Sequence, residues 1–361
     1  MALPQMPQLD GLRALAVFGV LVHHYFPERN LEILAFLGVK LFFVLSGFLI
    51  TNILLSCRDI SERSGVPRRK MIGQFYMRRF LRIFPLYYGV IAFALIINLS
   101  PARELIGWFL TYSLNIYVVI QGYWIENFSH FWTLAVEEQF YVVWPCIIMF
   151  TPRKWLMPAM FSFIAIGVMY RFYGFLHELP GIATYSLTPA CLDSLGMGSI
   201  LALLTQSKPL EAWLTKYSSR IVLPIATVMT VLLYLTEVFK ILNGLNLIFF
   251  DLFLAVVFAC LVQTARRSFR GIGGRFLEWK PVTYVGKISY GVYVFHPFMP
   301  TLIAASLGAL KIKSLIPEGW NFVLCTIATI GLATISWRYY ELPINNLKRF
   351  FSYGTGQKIN G

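Results

Sequence analysis

The chain has 361 residues, of which 57% are hydrophobic and 13% charged, at a mean hydropathy of +0.65. A soluble globular domain carries about 25% charged residues, so that class is excluded. The formal net charge of +14 would suit nucleic acid or a membrane surface. The Lys and Arg residues gather in alternate short loops, however, which marks a multi-pass membrane protein embedded in a lipid bilayer and requires no nucleic-acid partner.

Ten apolar stretches are long enough to cross as helices, near residues 10–27, 36–56, 82–100, 131–150, 155–174, 187–206, 219–238, 245–265, 284–306 and 320–340. They predict an all-α bundle of about ten transmembrane helices filling residues 1–345, followed by a short cytoplasmic tail over 346–361. With the amino terminus inside, twenty-two basic residues fall in inner loops and the tail. Seven fall outside: Arg29, Lys40, Arg103, Arg171, Lys240, Lys311 and Lys313. That bias predicts both termini in the cytoplasm. The first stretch carries Arg13 and no small-residue cleavage site, so it is expected to stay in the mature protein.

Polar residues inside these stretches are the candidates for function. Arg13 and His24 share the first span, eleven positions and roughly 16 Å apart along its axis at 1.5 Å per residue. An ionisable group at membrane depth costs at least ~2.5 kcal/mol unless paired or facing a cavity. Asp10 is placed to cap this helix. Arg78, Arg79 and Arg82 open the third span; Arg79 and Arg82, three apart, share a face, and their guanidinium forks suit phosphates. Inner-leaflet anchoring would use the same residues.

The segment from Ser100 to Ser129 is interrupted by Asn115, Gln121, Glu126 and Asn127 and reads as an interfacial or re-entrant piece. Glu137 and Glu138 then lie about two turns into the fourth span. Adjacent positions point about 100° apart, so one is expected to face a polar cavity and the other to pair with a cation such as Arg13 or Arg171. Asp193 and Asp251 are placed to close ion pairs with other buried charges. Ser46 and His296, the latter just before Pro297, complete the set. Cys57, Cys146, Cys191, Cys260 and Cys325 have neither metal-ligand nor redox spacing, so no metal and no permanently bound cofactor are expected. Gly271-Ile-Gly-Gly274 matches no nucleotide-binding pattern.

Several of these segments resemble the acyltransferase-3 family of membrane O-acyltransferases. The matching pieces are Leu9-Asp-Gly-Leu-Arg-Ala-Leu-Ala16, the Arg13/His24 pair, Gly38-Val-Lys-Leu-Phe-Phe-Val-Leu-Ser-Gly-Phe-Leu-Ile-Thr51 and the Arg79/Arg82 pair. His130-Phe-Trp-Thr-Leu-Ala-Val-Glu-Glu-Gln-Phe-Tyr-Val-Val-Trp-Pro145, Ser289-Tyr-Gly-Val-Tyr-Val-Phe-His-Pro297 and Tyr340-Glu-Leu-Pro343 follow in family order. The resemblance implies acyl-CoA as co-substrate on the cytoplasmic side, acetyl-CoA first, and a glycan or glycolipid hydroxyl as acceptor outside, in a bacterial inner membrane. Some relatives append a soluble esterase-like domain. This chain is expected to lack it, so a second acyl-handling step would need a separate extracytoplasmic partner protein.

On that reading His24 is the general base, because imidazole titrates nearest the working pH. Arg79 and Arg82, with Arg78, hold the CoA phosphates. Arg13 orients the donor or pairs with a carboxylate. Glu137 holds the His24 tautomer or binds the acceptor sugar. Trp108, Tyr123, Trp124 and Trp132 stack on sugar faces or form the interfacial aromatic belt. Direct transfer is the simplest route and an acyl-histidine the alternative. A rival from another class is a transporter or flippase, in which buried charges also mark a substrate path.

Overall fold

The structure is a computed structural model describing residues 6–26, 31–239, 244–309 and 318–353. Arg29, Lys240, Lys311, Lys313 and Lys358, which entered the charge count above, lie outside the described residues, as does the end of the tail from 354 on.

The described residues are helical, with no strand. In chain order the helices are α1 Pro7–Tyr25, α2 Glu32–Ser64, α3 Arg68–Ile96, the short α4 Ile106–Leu110 and α5 Leu114–Gln121, α6 Phe131–Phe150 and α7 Arg153–Leu176. There follow α8 Gly181–Ser186, α9 Thr188–Leu204, α10 Lys208–Tyr217, α11 Leu223–Val238, α12 Leu245–Arg266, α13 Ile272–Glu278, α14 Lys280–Lys287, α15 Ser289–Phe295, α16 Phe298–Ala309, α17 Glu318–Ser336 and α18 Leu342–Asn346. Among the described residues eight helical stretches are long and apolar enough to cross a membrane. They coincide with eight of the ten expected spans.

The other two expected spans have a different form. The first is α1, a single 19-residue helix diluted by Asp10 and Arg13. The ninth is broken into α14, α15 and α16. One break has a clear cause: Pro297 has no N–H to give to the carbonyl of Tyr293, four residues back. His296 takes that carbonyl instead, its Nδ1 lying 2.6 Å from the Tyr293 oxygen. The segment from 100 to 129 forms only α4 and α5, of 5 and 8 residues. At 1.5 Å per residue neither crosses a ~30 Å hydrocarbon core.

Without water to drive apolar surfaces together, membrane helices hold by close van der Waals packing at small residues. At the crossing of α2 and α9 a Cβ on Gly47 would overlap the carbonyl oxygen of Leu195, and one on Gly198 would overlap that of Val44. The obstacle on each side is backbone, which cannot swing away. Gly47→Val is therefore expected to destabilise by about 3 kcal/mol, the upper end for overpacking. Thermal melting of the detergent-solubilised protein would read this, and an unchanged midpoint would refute the tight crossing. Similarly, α14 lies against the first turns of α1, where Gly286 meets the carbonyl of Asp10.

Inside the bundle four charged side chains form a closed set linking α2, α7, α9 and α12. Lys40 Nζ lies 2.5 Å from Asp251 Oδ2, and Arg171 Nη2 lies 2.5 Å from Asp193 Oδ2. Arg171 Nη1 also reaches Asp251 at 3.5 Å. The expectation that Asp193 and Asp251 pair with buried cations is met. Lys40 and Arg171, counted above as outer-side charges, are buried instead, at 0% and 1% exposure.

Candidate active site

Two cavities flank α1, one toward each of its ends. The first is lined by Arg13 of α1, Ser46 of α2, Arg79 and Arg82 of α3, Glu137 and Tyr141 of α6 and Tyr290 of α15. The second is lined by His23 and His24 of α1 with Glu32, Trp124, Glu126, His130, Trp132 and Tyr185. Because α1 runs unbroken from Pro7 to Tyr25, Arg13 and His24 are held on one rigid rod.

The arginine cavity is small, about 130 Å³. Arg79 stands in it with its guanidinium 4.2 Å from the centre of the Tyr141 ring, and its buried Nε has no partner among the described residues. Such a cation over an aromatic face is held in place while its N–H groups stay available. Arg82 lies 4.8 Å from the Trp337 ring and donates from Nη2 to the Lys287 carbonyl at 3.3 Å. Arg79 and Arg82 make no ion pair among the described residues, so their donors are not committed to a protein carboxylate. Arg78, one position round the helix, does not line the cavity. Its Nη1 donates to the carbonyls of Lys348 and Phe351 at 3.1 and 3.3 Å, and its guanidinium sits over Tyr353.

Glu137 enters this arginine cavity and accepts a 2.5 Å hydrogen bond from Ser46 Oγ. It does not orient His24, which opens into the other cavity. Neither Glu137 nor Glu138 forms an ion pair among the described residues, and Arg171 is already taken by Asp193 and Asp251. Arg13 pairs with Asp10 at 3.1 Å. Asp10 is thus no cap: α1 begins at Pro7, and Asp10 lies a turn inside it, one turn before Arg13.

The histidine cavity is larger, about 940 Å³, within the range of clefts that hold small-molecule ligands, ~300–1,000 Å³. His24 Nδ1 is 2.9 Å from the carbonyl oxygen of Val20. A carbonyl can only accept, so the proton is on Nδ1 and the Nε2 lone pair is left free when the ring is neutral. The ring is further fixed edge-on against His23 at 4.8 Å and His296 at 4.7 Å between centroids. Tyr25, next in sequence, locks the end of α1 by donating to the His296 carbonyl at 2.9 Å and meeting Thr329 Oγ1 at 2.6 Å.

Trp124, Trp132 and Tyr185 form one aromatic group on the cavity wall, with centroid separations of 4.9 to 6.2 Å. Of the aromatic residues singled out in the sequence, Trp124 and Trp132 line this cavity, whereas Trp108 and Tyr123 do not. The sequence reading did not single out Tyr185, Glu32 or His130, all of which line this cavity. His130 is buried at the cavity wall, and among the described residues neither ring nitrogen has a hydrogen-bond partner. Its only sequence signal was its place at the head of the His130–Pro145 segment.

Residues 6–338 match the family described as an acyltransferase domain. The chain belongs to the acyltransferase-3 family. The peptidoglycan O-acetyltransferase OatA of Listeria monocytogenes is 28% identical to it over 98% of this chain and 58% of the relative. The O-acetyltransferase OatA of Staphylococcus aureus is 29% identical over 94% and 57%, and a putative peptidoglycan O-acetyltransferase, YrhL, of Bacillus subtilis 28% identical over 94% and 55%. The chain therefore spans a little under three fifths of the length of these relatives. No solved structure matches it.

Proposed function

We propose that this protein moves an acyl group, acetyl in the first instance, from acyl-CoA at the arginine cavity to a glycan hydroxyl in the histidine cavity. One observation carries the reading: Arg79 and Arg82, in no ion pair among the described residues, and an accessible imidazole occupy separate cavities toward opposite ends of one helix. The arginine end is the cytoplasmic one, in keeping with the positive-inside bias, and the membrane is the bacterial inner membrane. Peptidoglycan, for which the Listeria and Bacillus relatives are named, is the acceptor to test first. A glycolipid or lipopolysaccharide acceptor and a separate extracytoplasmic partner protein belong to the same reading.

The chemistry follows from the residues. Arg79 and Arg82 hold CoA phosphates by charge-assisted hydrogen bonds. Glu137, fixed by Ser46, faces these cations, and Arg13 closes the far side of the cavity. The flexible pantetheine arm is of the same order of length as the Arg13–His24 rise, roughly 16 Å, and carries the thioester toward His24. Nε2 of His24 takes the proton of an acceptor hydroxyl as its oxygen attacks the thioester carbonyl. The tetrahedral adduct expels the CoA thiolate, which takes up that proton. Direct transfer needs no acyl-histidine, since both reactants have their own cavity.

The test is transfer by purified protein in liposomes from radiolabelled acetyl-CoA to glycan fragments. A flippase would move the glycan without releasing CoA. Arg79→Ala and Arg82→Ala are each expected to raise the KM for acetyl-CoA about tenfold or more, since a hydrogen bond to a charged group is worth ~1.5–3 kcal/mol. An unchanged KM in both variants would reduce these arginines to lipid anchors.

A further inference from the structure

The two cavities have two lining residues in common, Val39 of α2 and Tyr293 of α15. We propose that Val39 and Tyr293 form a neck that sets the width of acyl group the protein can transfer. The proposal rests on the reading above, in which the donor comes from the arginine cavity and the acceptor waits at His24.

Both side chains are nearly buried, at 6% and 8% exposure, and neither is free to step aside. Val39 is β-branched and stiff about its first side-chain torsion. Tyr293 is pinned at both ends of its ring. Its hydroxyl lies 2.8 Å from Thr133 Oγ1 and donates to the His130 carbonyl at 3.2 Å. The ring meets Phe42 edge-on at 6.2 Å. Closely packed interiors register a single added methylene. A thioester crossing between an isopropyl group and a fixed phenol must carry its acyl group through the same gap. An acetyl group is no wider than the arm that follows it, whereas an acyl group branched next to its carbonyl has to displace a wall that is held in place.

The wild-type protein is thus expected to favour acetyl over isobutyryl when both CoA thioesters are supplied in equal amounts. Val39→Ala is expected to move the product ratio toward isobutyryl by about tenfold or more, since one methylene in an apolar pocket discriminates ~10–200-fold. Val39→Leu is expected to move it the other way. Tyr293→Phe, which keeps the ring but frees it from Thr133 and His130, is expected to relax the ratio with almost no change in volume. Mass spectrometry of acceptor glycan after competition between acetyl-CoA and isobutyryl-CoA gives the ratio, which does not depend on how much of each variant is folded. Wild-type ratios in Val39→Ala and Val39→Leu, with acetyl transfer intact, would overturn the neck while sparing the donor reading. No transfer from either thioester by the wild-type protein would overturn the donor reading and the neck together.

Discussion

His24→Ala is expected to lower acyl transfer by about 10²–10⁴-fold, the usual contribution of a positioned general base, with the protein still inserted and folded. The expectation comes from the tautomer. The Val20 carbonyl fixes the proton on Nδ1, so the ring presents a lone pair where a substrate hydroxyl can reach it. His24→Gln separates basicity from hydrogen bonding, because the amide can donate to the same carbonyl yet takes up no proton near neutral pH. It should lose nearly as much as the alanine variant. His23 lines the same cavity but sits about 100° round α1, and among the described residues its buried Nδ1 has no hydrogen-bond partner; His23→Ala should lose far less. Initial rates of CoA release and of glycan labelling measure all three. Wild-type rates in His24→Ala would remove it as the base.

Much of this site was legible in sequence because a membrane penalises polar residues, so each one that remains stands out. Arg13 and His24 were visible as interruptions of an apolar run, and their separation followed from helix geometry. Arg79 and Arg82 were placed on one face by their spacing, and both line the cavity. Arg78 was grouped with them only by adjacency; one step round a helix is enough to direct it to the carbonyls of Lys348 and Phe351. Long-range pairing was not legible. Ser46 meets Glu137 across 91 positions of sequence, and no local pattern announces that contact. Lys40 and Arg171 misled for another reason. A cation near the end of a span looks like a loop charge in one dimension, and only the packing of four helices shows it is buried. The division of the ninth span was half visible, through Pro297, while the break at Ile288 had no breaker residue to betray it.

Arg171→Ala should be among the most destabilising substitutions in the chain. Arg171 Nη1 donates to the Ala190 carbonyl at 2.7 Å and Nε to that of Ile248 at 3.2 Å, besides its bonds to Asp193 and Asp251. Two cations and two carboxylates balance as long as all four are present. Removing Arg171 leaves two buried carboxylates facing Lys40 alone, and breaking a buried pair by deleting one partner costs about 3–5 kcal/mol. That is a large part of the ~5–15 kcal/mol by which a folded domain is usually stable. The same physics predicts partial rescue. Arg171→Met combined with Asp193→Leu removes one charge of each sign, leaves Lys40 with Asp251, and replaces an ion pair by apolar volume, which is often close to neutral. The double variant should melt well above either single one, a coupling that a double-mutant cycle on the detergent-solubilised protein would measure. If Arg171→Ala melts with the wild-type protein, the four charges are not holding α2, α7, α9 and α12 together. If the double variant melts below both singles, the lost bonds to Ala190 and Ile248 outweigh charge balance at this site.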